Sequence, residues 1–479
     1  MKPLKSIWES VKFIHSVVHY DHVRMRTPKQ LRDLQLSKFR RMLRHAHRHS
    51  AYWRERLAGI DLHSCQPTDL PVLTKPEMMA NFDNLVTDRR ITKAALAEFT
   101  AQPTNFGHYF LHKYSVCHTS GSQGQPAFVV QDRLAFLHLF AMQIARGHSL
   151  PKTWKEITTR LMNRKNWVIF MLRPGFFPSA AAFNYMPRPV RRFARIHVLY
   201  LTDPFEKNIA RLNEIQPDFI TAYTHVHLNL ARAEQQGKLK LRDGGKLSLL
   251  ISMSEPLDQA TRHHIENVFG VHVSNHYAMA ECMALTLGCP VSEGAHLNQD
   301  LALLEVVDRD YNPVPDGQAG DKILITNLYN TVQPIIRYEI DDQVTISTNP
   351  CPCGNPMPLV QTIAGRSNDR LWVERNGQEQ EVPKFIFQAA FLPFYDLAEF
   401  QVVQTDKRRF KVYAQAVNDR TLSPQRIKEA VRDKQLQENM DGWFDIDVEL
   451  TPEIKPDARS GKKRRYINLL RPQNLSGAA

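Results

Sequence analysis

The residues of this chain best suited to chemistry fall in a few short strings. His118-Thr-Ser-Gly-Ser-Gln-Gly-Gln-Pro126 sets three hydroxyls and two glycines within Thr119–Gly124. Glycines let a backbone approach an anion and turn its N–H groups towards it, and hydroxyls add further donors. The same string also suits a plain Ser/Gly surface turn, and it lacks the Gly-Lys-Ser/Thr ending of a Walker loop. Near the other end, Arg459-Ser-Gly-Lys462 carries a lysine on a small-residue turn. Lys463, Arg464 and Arg465 follow it, so a solvated basic run explains that lysine equally well. A third set is Cys289-x6-His296 with Cys351-Pro-Cys353. Three thiolates and an imidazole suit a closed tetrahedral Zn²⁺ site, although Cys-x-Cys is tighter than the usual spacing. With six cysteines in a long chain and no secretory pattern, disulfides are not expected.

These strings need a scaffold. From Ser115 onward, short β-branched or apolar runs (Trp167–Leu172, Arg195–Leu201, Phe219–Tyr223, Leu247–Ser252, Val271–Tyr277) alternate with helical stretches such as Phe205–Ile215 and His225–Gln236. That alternation predicts an α/β domain with a mostly parallel sheet and helices on its faces. Before it, residues 28–60 carry apolar positions at helical spacing and predict a helix ending near Tyr52 and Trp53. Leu301–Ser347 has a β-rich texture. From about Arg366, strands (Phe400–Val403, Phe410–Ala416) and one helix (Pro424–Gln437) suffice for a small α+β domain. Expected boundaries are therefore 1–365, with a helical start, and 366–479.

Composition narrows the classes. At 479 residues, 43% hydrophobic and 23% charged, the chain has the profile of a folded protein of two or three domains. No stretch approaches the roughly 20 apolar residues that span a bilayer. Glu9, Lys12 and His15 interrupt any signal-type core, so the N-terminus is expected to form an amphipathic helix packed on the protein, not a membrane anchor. A cytoplasmic protein without membrane insertion is the expectation. The net charge of +13 suits an enzyme handling polyanions such as ATP or a phosphorylated thiol carrier. No zinc-finger, RNA-recognition or basic-region pattern accompanies it, so nucleic acid is not an expected partner.

The string Thr119–Pro126 resembles the phosphate loop of the acyl-adenylate-forming superfamily, which includes acyl-CoA synthetases, luciferase and nonribosomal adenylation domains. Further matches follow in order: Ser252-Met-Ser-Glu-Pro-Leu257, Tyr277-Ala-Met-Ala-Glu281, Gly320–Asn327, Pro334-Ile-Ile-Arg-Tyr338 with Asp342, Gly365-Arg366 and Arg459-Ser-Gly-Lys462. One match would be weak; seven in order over most of the chain are specific. Phe39–Leu57 followed by Leu70-Pro-Val-Leu-Thr-Lys75 is similar to the phenylacetate–CoA ligase branch. So are Ala295-His-Leu-Asn-Gln-Asp300 running into Leu304-Glu-Val-Val-Asp308, and Cys353-Gly354 ahead of Gly365-Arg366.

The resemblance implies a large N-terminal α/β domain, a small mobile C-terminal α+β lid and two half-reactions. A carboxylate attacks the α-phosphate of ATP, and a thiol, commonly of CoA, then attacks the acyl carbon. It implies that Thr119, Ser120, Gly121, Ser122 and Gly124 hold the β- and γ-phosphates, and that Glu281 holds Mg²⁺. Tyr277 would stack on adenine with Ser254, Glu255 and Pro256 along its edge, Asp342 would bind the ribose, and Arg366 would reach the nucleotide. Lys462 would neutralise charge around the α-phosphate. Tyr223, His225, Asn275, His276 and Ala278 are candidates for the acid pocket, although core packing accounts for the aromatics as well. Some members of the branch carry a Cys/His/Cys/Cys zinc site matching Cys289, His296, Cys351 and Cys353.

Several positions depart from the pattern. Ala127 replaces the lysine often found after the loop's proline, and Ala278 and Ala280 replace Gly and Thr. Asp341 stands in place of Gly before Asp342. Asn368 occupies a hinge position where an acid is common, and Glu374-Arg-Asn-Gly-Gln forms a hairpin signal where a glycine-rich stretch is usual. That stretch helps form the thiolation conformation, so transfer to a carrier-protein thiol or an amine stays open beside CoA. So do a nucleotide-binding protein without chemistry and a homodimer. The acid is not specified.

Overall fold

The computed structural model describes residues 2–119, 127–147, 163–171, 175–201, 203–255, 257–366, 371–375, 377–382, 384–391, 394, 397–416, 422–437, 440–455 and 464–470.

Five parallel strands form the central sheet in the order β4-β3-β5-β6-β7: β3 Lys165–Met171, β4 Ala194–Tyr200, β5 Phe219–Ala222, β6 Leu249–Met253 and β7 Val273–His276. The apolar runs of β3 and β5 are buried on both faces, as inner parallel strands covered by helices must be, whereas β4 at the sheet edge is mostly half-buried. Val168 and Phe170 of β3 join a core with Ile209 and Leu212 of the helix Phe205–Ile215 and Leu230 of the helix Thr224–Gln235. Ile169 and Met171 point the other way, into a core with Phe136 and Phe140 of the helix Arg133–Gly147. Strand pleating assigns neighbours to opposite faces, so one strand serves two cores. The first helix, α1 (Lys2–Val23), adds Phe13, Val17 and Tyr20 outside Arg133–Gly147.

The helix expected over residues 28–60 is two helices, α2 (Pro28–His49) and α3 (Ala51–Arg56). Ser50 breaks the run. Its backbone is extended, and its Oγ accepts from the Trp53 N–H at 3.2 Å and donates to the Asn84 carbonyl at 3.0 Å. The local N-cap and the buried Trp53 outweigh the continuing apolar period.

Antiparallel sheets follow. β10 (Ala302–Val307), β11 (Lys322–Asn327) and β12 (Tyr338–Ile340) form one. β8 (Thr286–Gly288), β9 (Ala295–Leu297), β13 (Asp342–Ser347) and β14 (Leu359–Arg366) form another, in the order β13-β14-β9-β8. β8 passes so close to β7 that a Cβ on Gly288 would lie 2.1 Å from Ser274 Oγ, which leaves room only for glycine there.

Residues from Leu371 onward gather in a core of their own, including Phe387, Phe391, Val402, Phe410, Ile427 and Phe444. It lies under a sheet of β17 (Leu397–Asp406), β18 (Arg409–Ala416), β19 (Asp445–Leu450) and β20 (Tyr466–Asn468). The hairpin signal at Glu374–Gln378 is the turn between β15 (Leu371–Arg375) and β16 (Gln378–Val382), with Gly377 at φ +76°.

Candidate functional site

The carboxyl ends of β5, β6 and β7 lie side by side, the edge of a parallel sheet where ligands commonly bind. β5 runs into Tyr223 and His225, β6 into Ser254 and Glu255, and β7 into Tyr277. The Glu255 carboxylate accepts from the His225 backbone N–H at 3.0 Å and from its ring Nδ1 at 2.8 Å. Burial pushes that carboxyl up, but the His225 imidazole and these hydrogen bonds outweigh it and hold Glu255 below its ordinary value. Thr224 and Ser252 share a hydroxyl hydrogen bond of 2.8 Å beneath the pair. Ser254 is exposed at φ +68°, an unusual conformation for a residue with a side chain. The Tyr223 hydroxyl is raised to about 12, first by burial and then by Glu255. Asn275 and His276 are half-buried and Ala278 is exposed along the next strand end.

Tyr277 connects this edge to the second sheet. Its N–H donates to Thr286 Oγ1 at 2.9 Å, and its hydroxyl donates to Asp342 Oδ2 at 2.7 Å. Asp342 opens β13, directly across from Arg366 at the end of β14. Tyr277, Asp342 and the backbone of Arg366, distant in sequence, thus come together. The Asn327 side-chain amide donates to the Glu281 carbonyl at 2.8 Å, which fixes the backbone of that buried carboxylate. Glu281 also lies near enough to Cys117 to raise its thiol, after burial has done most of this. Cys117 belongs to the hairpin of β1 (Tyr114–His118) and β2 (Phe128–Asp132) that carries the Ser/Gly string. The base of that string is closed by Thr119: its N–H donates to the Ala127 carbonyl, and its Oγ1 accepts from the Ala127 N–H, both at 2.9 Å. Ser120, Gly121, Ser122, Gly124, Pro256 and Lys462 lie outside the described residues.

Cys289, His296, Cys351 and Cys353 converge, their donor atoms all within 4.8 Å of one another. The Cys289 and Cys351 sulfurs are 3.7 Å apart. Tetrahedral zinc with bonds near 2.3 Å spaces its sulfurs by about 3.8 Å. His296 Nδ1 donates to the Met357 carbonyl at 2.9 Å, leaving Nε2, 3.1 Å from Cys353 Sγ, as the ligating nitrogen. Backbone N–H groups of Ser292 and Asn355 reach Cys289 and Cys353 at 3.2 and 3.4 Å, as they do around thiolates. Burial and the neighbouring sulfurs push the Cys353 thiol up to about 12, so a bound dication would be what ionises it. At Cys351, burial is outweighed by hydrogen bonds from Ser292 and the neighbouring cysteines, which hold that thiol below its ordinary value. The donor set fits zinc.

Sequence reasoning passed over one group. Arg465 closes the basic run and is half-buried, with Nε 3.1 Å from Oε1 of the buried Glu399; Glu255 and Asp258 add further favourable charge. Arg232, on the helix Thr224–Gln235, donates to the Ala398 carbonyl on β17, and so ties the large domain to the small one. The signal for Arg465 lay in the strand pattern of Tyr466–Asn468, which pairs in parallel with β17.

No family model matches the chain. A phenylacetate–coenzyme A ligase of Thermus thermophilus is 22% identical over 370 residues, covering 73% of this chain and 80% of the relative. Protein CapK of Staphylococcus aureus is 23% identical over 426 residues, covering 84% of this chain and 82% of its own length. A solved 2-hydroxyisobutyryl-CoA ligase in the postadenylation state superposes with a TM-score of 0.68 at 19% identity, covering 93% of this chain and 90% of that one. The chain is similar to phenylacetate–CoA ligases over most of its length, and it shares the fold of a solved acyl-CoA ligase. The same solved ligase in its thioesterification state gives a TM-score of 0.57 at the same coverage of this chain.

Proposed function

We propose that the chain activates a carboxylic acid with ATP and passes the acyl group to the thiol of coenzyme A. In the first step a carboxylate oxygen bonds to the α-phosphorus and pyrophosphate leaves. In the second the thiol sulfur bonds to the acyl carbon and AMP leaves. The observation that carries this reading is the hydrogen bond from Tyr277 to Asp342, formed where the carboxyl edge of the parallel sheet meets β13 and β14. Asp342 would accept from the ribose hydroxyls and Tyr277 would face the base, with Ser254 and Glu255 along its edge. Thr119 anchors the hairpin whose Ser120–Gly124 segment would hold the outer phosphates. Glu281 would hold Mg²⁺, which would supply positive charge against the phosphates, and Lys462 would neutralise charge directly, since joining two anions requires positioning and charge neutralisation. The residues Cys289, His296, Cys351 and Cys353 would hold a structural Zn²⁺, remote in role from the chemistry.

Acid-dependent ATP–pyrophosphate exchange over aromatic and fatty acids tests the first step, and detection of the CoA thioester tests the second. Exchange without a thioester would move the acceptor to a carrier-protein thiol or an amine, as the altered hinge around Asn368 allows. ATP binding without exchange for any acid would overturn catalysis altogether.

A further inference from the structure

α1 has two apolar faces. The inner one, Phe13, Val17, Tyr20 and Val23, is buried, and Tyr20 Oη lies 2.7 Å from His138 Nδ1 on the helix Arg133–Gly147. The expectation that α1 packs on the protein accounts for this face alone. Trp8, Val11, Ile14 and Val18 are 61%, 60%, 60% and 45% exposed. At 100° per residue these four fall on one stripe, opposite Phe13, Val17 and Tyr20. The exposed residues between them are His15, His19 and His22. Both acids of the helix, Glu9 and Asp21, sit half-buried at its margins, and Asp21 is paired with Arg24 at 2.6 Å. Cations accompany the stripe: the Lys12 ammonium lies 3.6 Å over the Trp8 ring, and the exposed Arg24 and Arg26 follow the helix.

We infer that α1 docks the protein on the surface of an anionic phospholipid membrane, with Trp8, Val11, Ile14 and Val18 entering the headgroup boundary. An apolar stripe edged by cations is the pattern of a helix lying in that boundary, and an amphipathic tryptophan ring favours the same depth. A second copy of this chain is a poorer occupant. Each copy carries +13, so like charges would face one another. Four side chains of one helix also fall short of the roughly 800 Å² per partner that a stable dimer buries. Anionic lipid attracts the same cations, each near-surface Lys or Arg being worth about fivefold in binding. Docking of this kind needs no spanning segment, and among the described residues no helix is long and apolar enough to cross a membrane.

The test is flotation of the full chain with phosphatidylcholine vesicles, with and without phosphatidylglycerol. The wild type should float with the anionic vesicles, less so as salt rises, and sink with the neutral ones. Ile14→Glu changes only an exposed position; it should weaken flotation roughly tenfold or more while unfolding at the wild-type temperature. Lys12→Glu should weaken it less and flatten the salt dependence. Wild type that sinks with anionic vesicles at low salt overturns the proposal, and so does Ile14→Glu that floats as well as wild type. A wild-type dimer that Ile14→Glu converts to monomer would assign the stripe to a second copy instead.

Discussion

Two carboxylates at the candidate site differ in what they do for the protein. Asp342 takes the Tyr277 hydroxyl at 2.7 Å and is only half-buried, so its charge is available to a ligand. Hydrogen bonds to a charged group contribute about 1.5–3 kcal/mol and neutral ones about 0.5–1.5, so Asp342→Asn should cost about 1–2 kcal/mol of ATP binding. That is roughly a 5–30-fold rise in KM for ATP with kcat changed far less, measured by pyrophosphate exchange. An unchanged KM would remove Asp342 from the ribose. Glu255, by contrast, is held inward by His225, and its value is depressed. A depressed carboxyl stabilises the fold fully above its unfolded value, near 4.5, and the contribution is lost as pH falls through the folded one. Glu255→Gln should therefore unfold below the wild-type temperature near neutral pH, and that margin should shrink as pH falls below about 4.5. A margin indifferent to pH would mean that packing, not charge, fixes Glu255.

The elements show why some of this was visible in the sequence and some was not. The parallel sheet was legible because βαβ units bury each strand on both faces, and that leaves compact apolar runs between helices. The break at Ser50 was not, since the apolar period of α2 continues through it and the deciding contacts, Asn84 and Trp53, depend on tertiary packing. Motif order singled out Tyr277 and Asp342; the hydrogen bond between them depends on strand register that spacing does not encode. Arg465 sat in a basic run and looked solvated, yet β20 pairing with β17 leaves it half-buried against the buried Glu399. The Cys/His set was legible as a donor list, but its convergence requires the β8–β9 hairpin to meet the turn between β13 and β14. Because four donors tie two hairpins of one sheet, metal bound there is folding free energy. Protein purified without chelator should carry one zinc per chain. Prolonged chelation or Cys351→Ser should release the metal and lower the unfolding temperature by several degrees, since it costs more than about 2 kcal/mol. Well under one zinc per chain, with Cys351→Ser as stable as wild type, would leave the cluster as plain buried thiols.

At the scale of the whole molecule the question is what holds the two domains in the arrangement seen. Arg232 reaches from the helix Thr224–Gln235 to the Ala398 carbonyl, next to the Arg465–Glu399 pair. Burial lowers the Arg232 guanidinium, with Arg465 also acting against its charge and Glu399 in its favour, so its place in the interface depends on staying paired. Removing a buried charged donor costs about 1–3 kcal/mol, and here the cost falls on one domain arrangement and not on either core. Arg232→Ala should therefore shift the balance away from the arrangement seen by roughly 5–150-fold. Acid-dependent pyrophosphate exchange should slow, while thioester formation from preformed acyl-adenylate should hold or quicken. Hydrogen exchange should rise along the facing segments 224–235 and 397–403, with Phe170 in the large core and Phe410 in the small one still within protected strands. If both half-reactions fell equally and protection dropped throughout both cores, Arg232 would be supporting the fold as a whole. The split between half-reactions is what identifies it as the residue that sets which step the two domains are posed for.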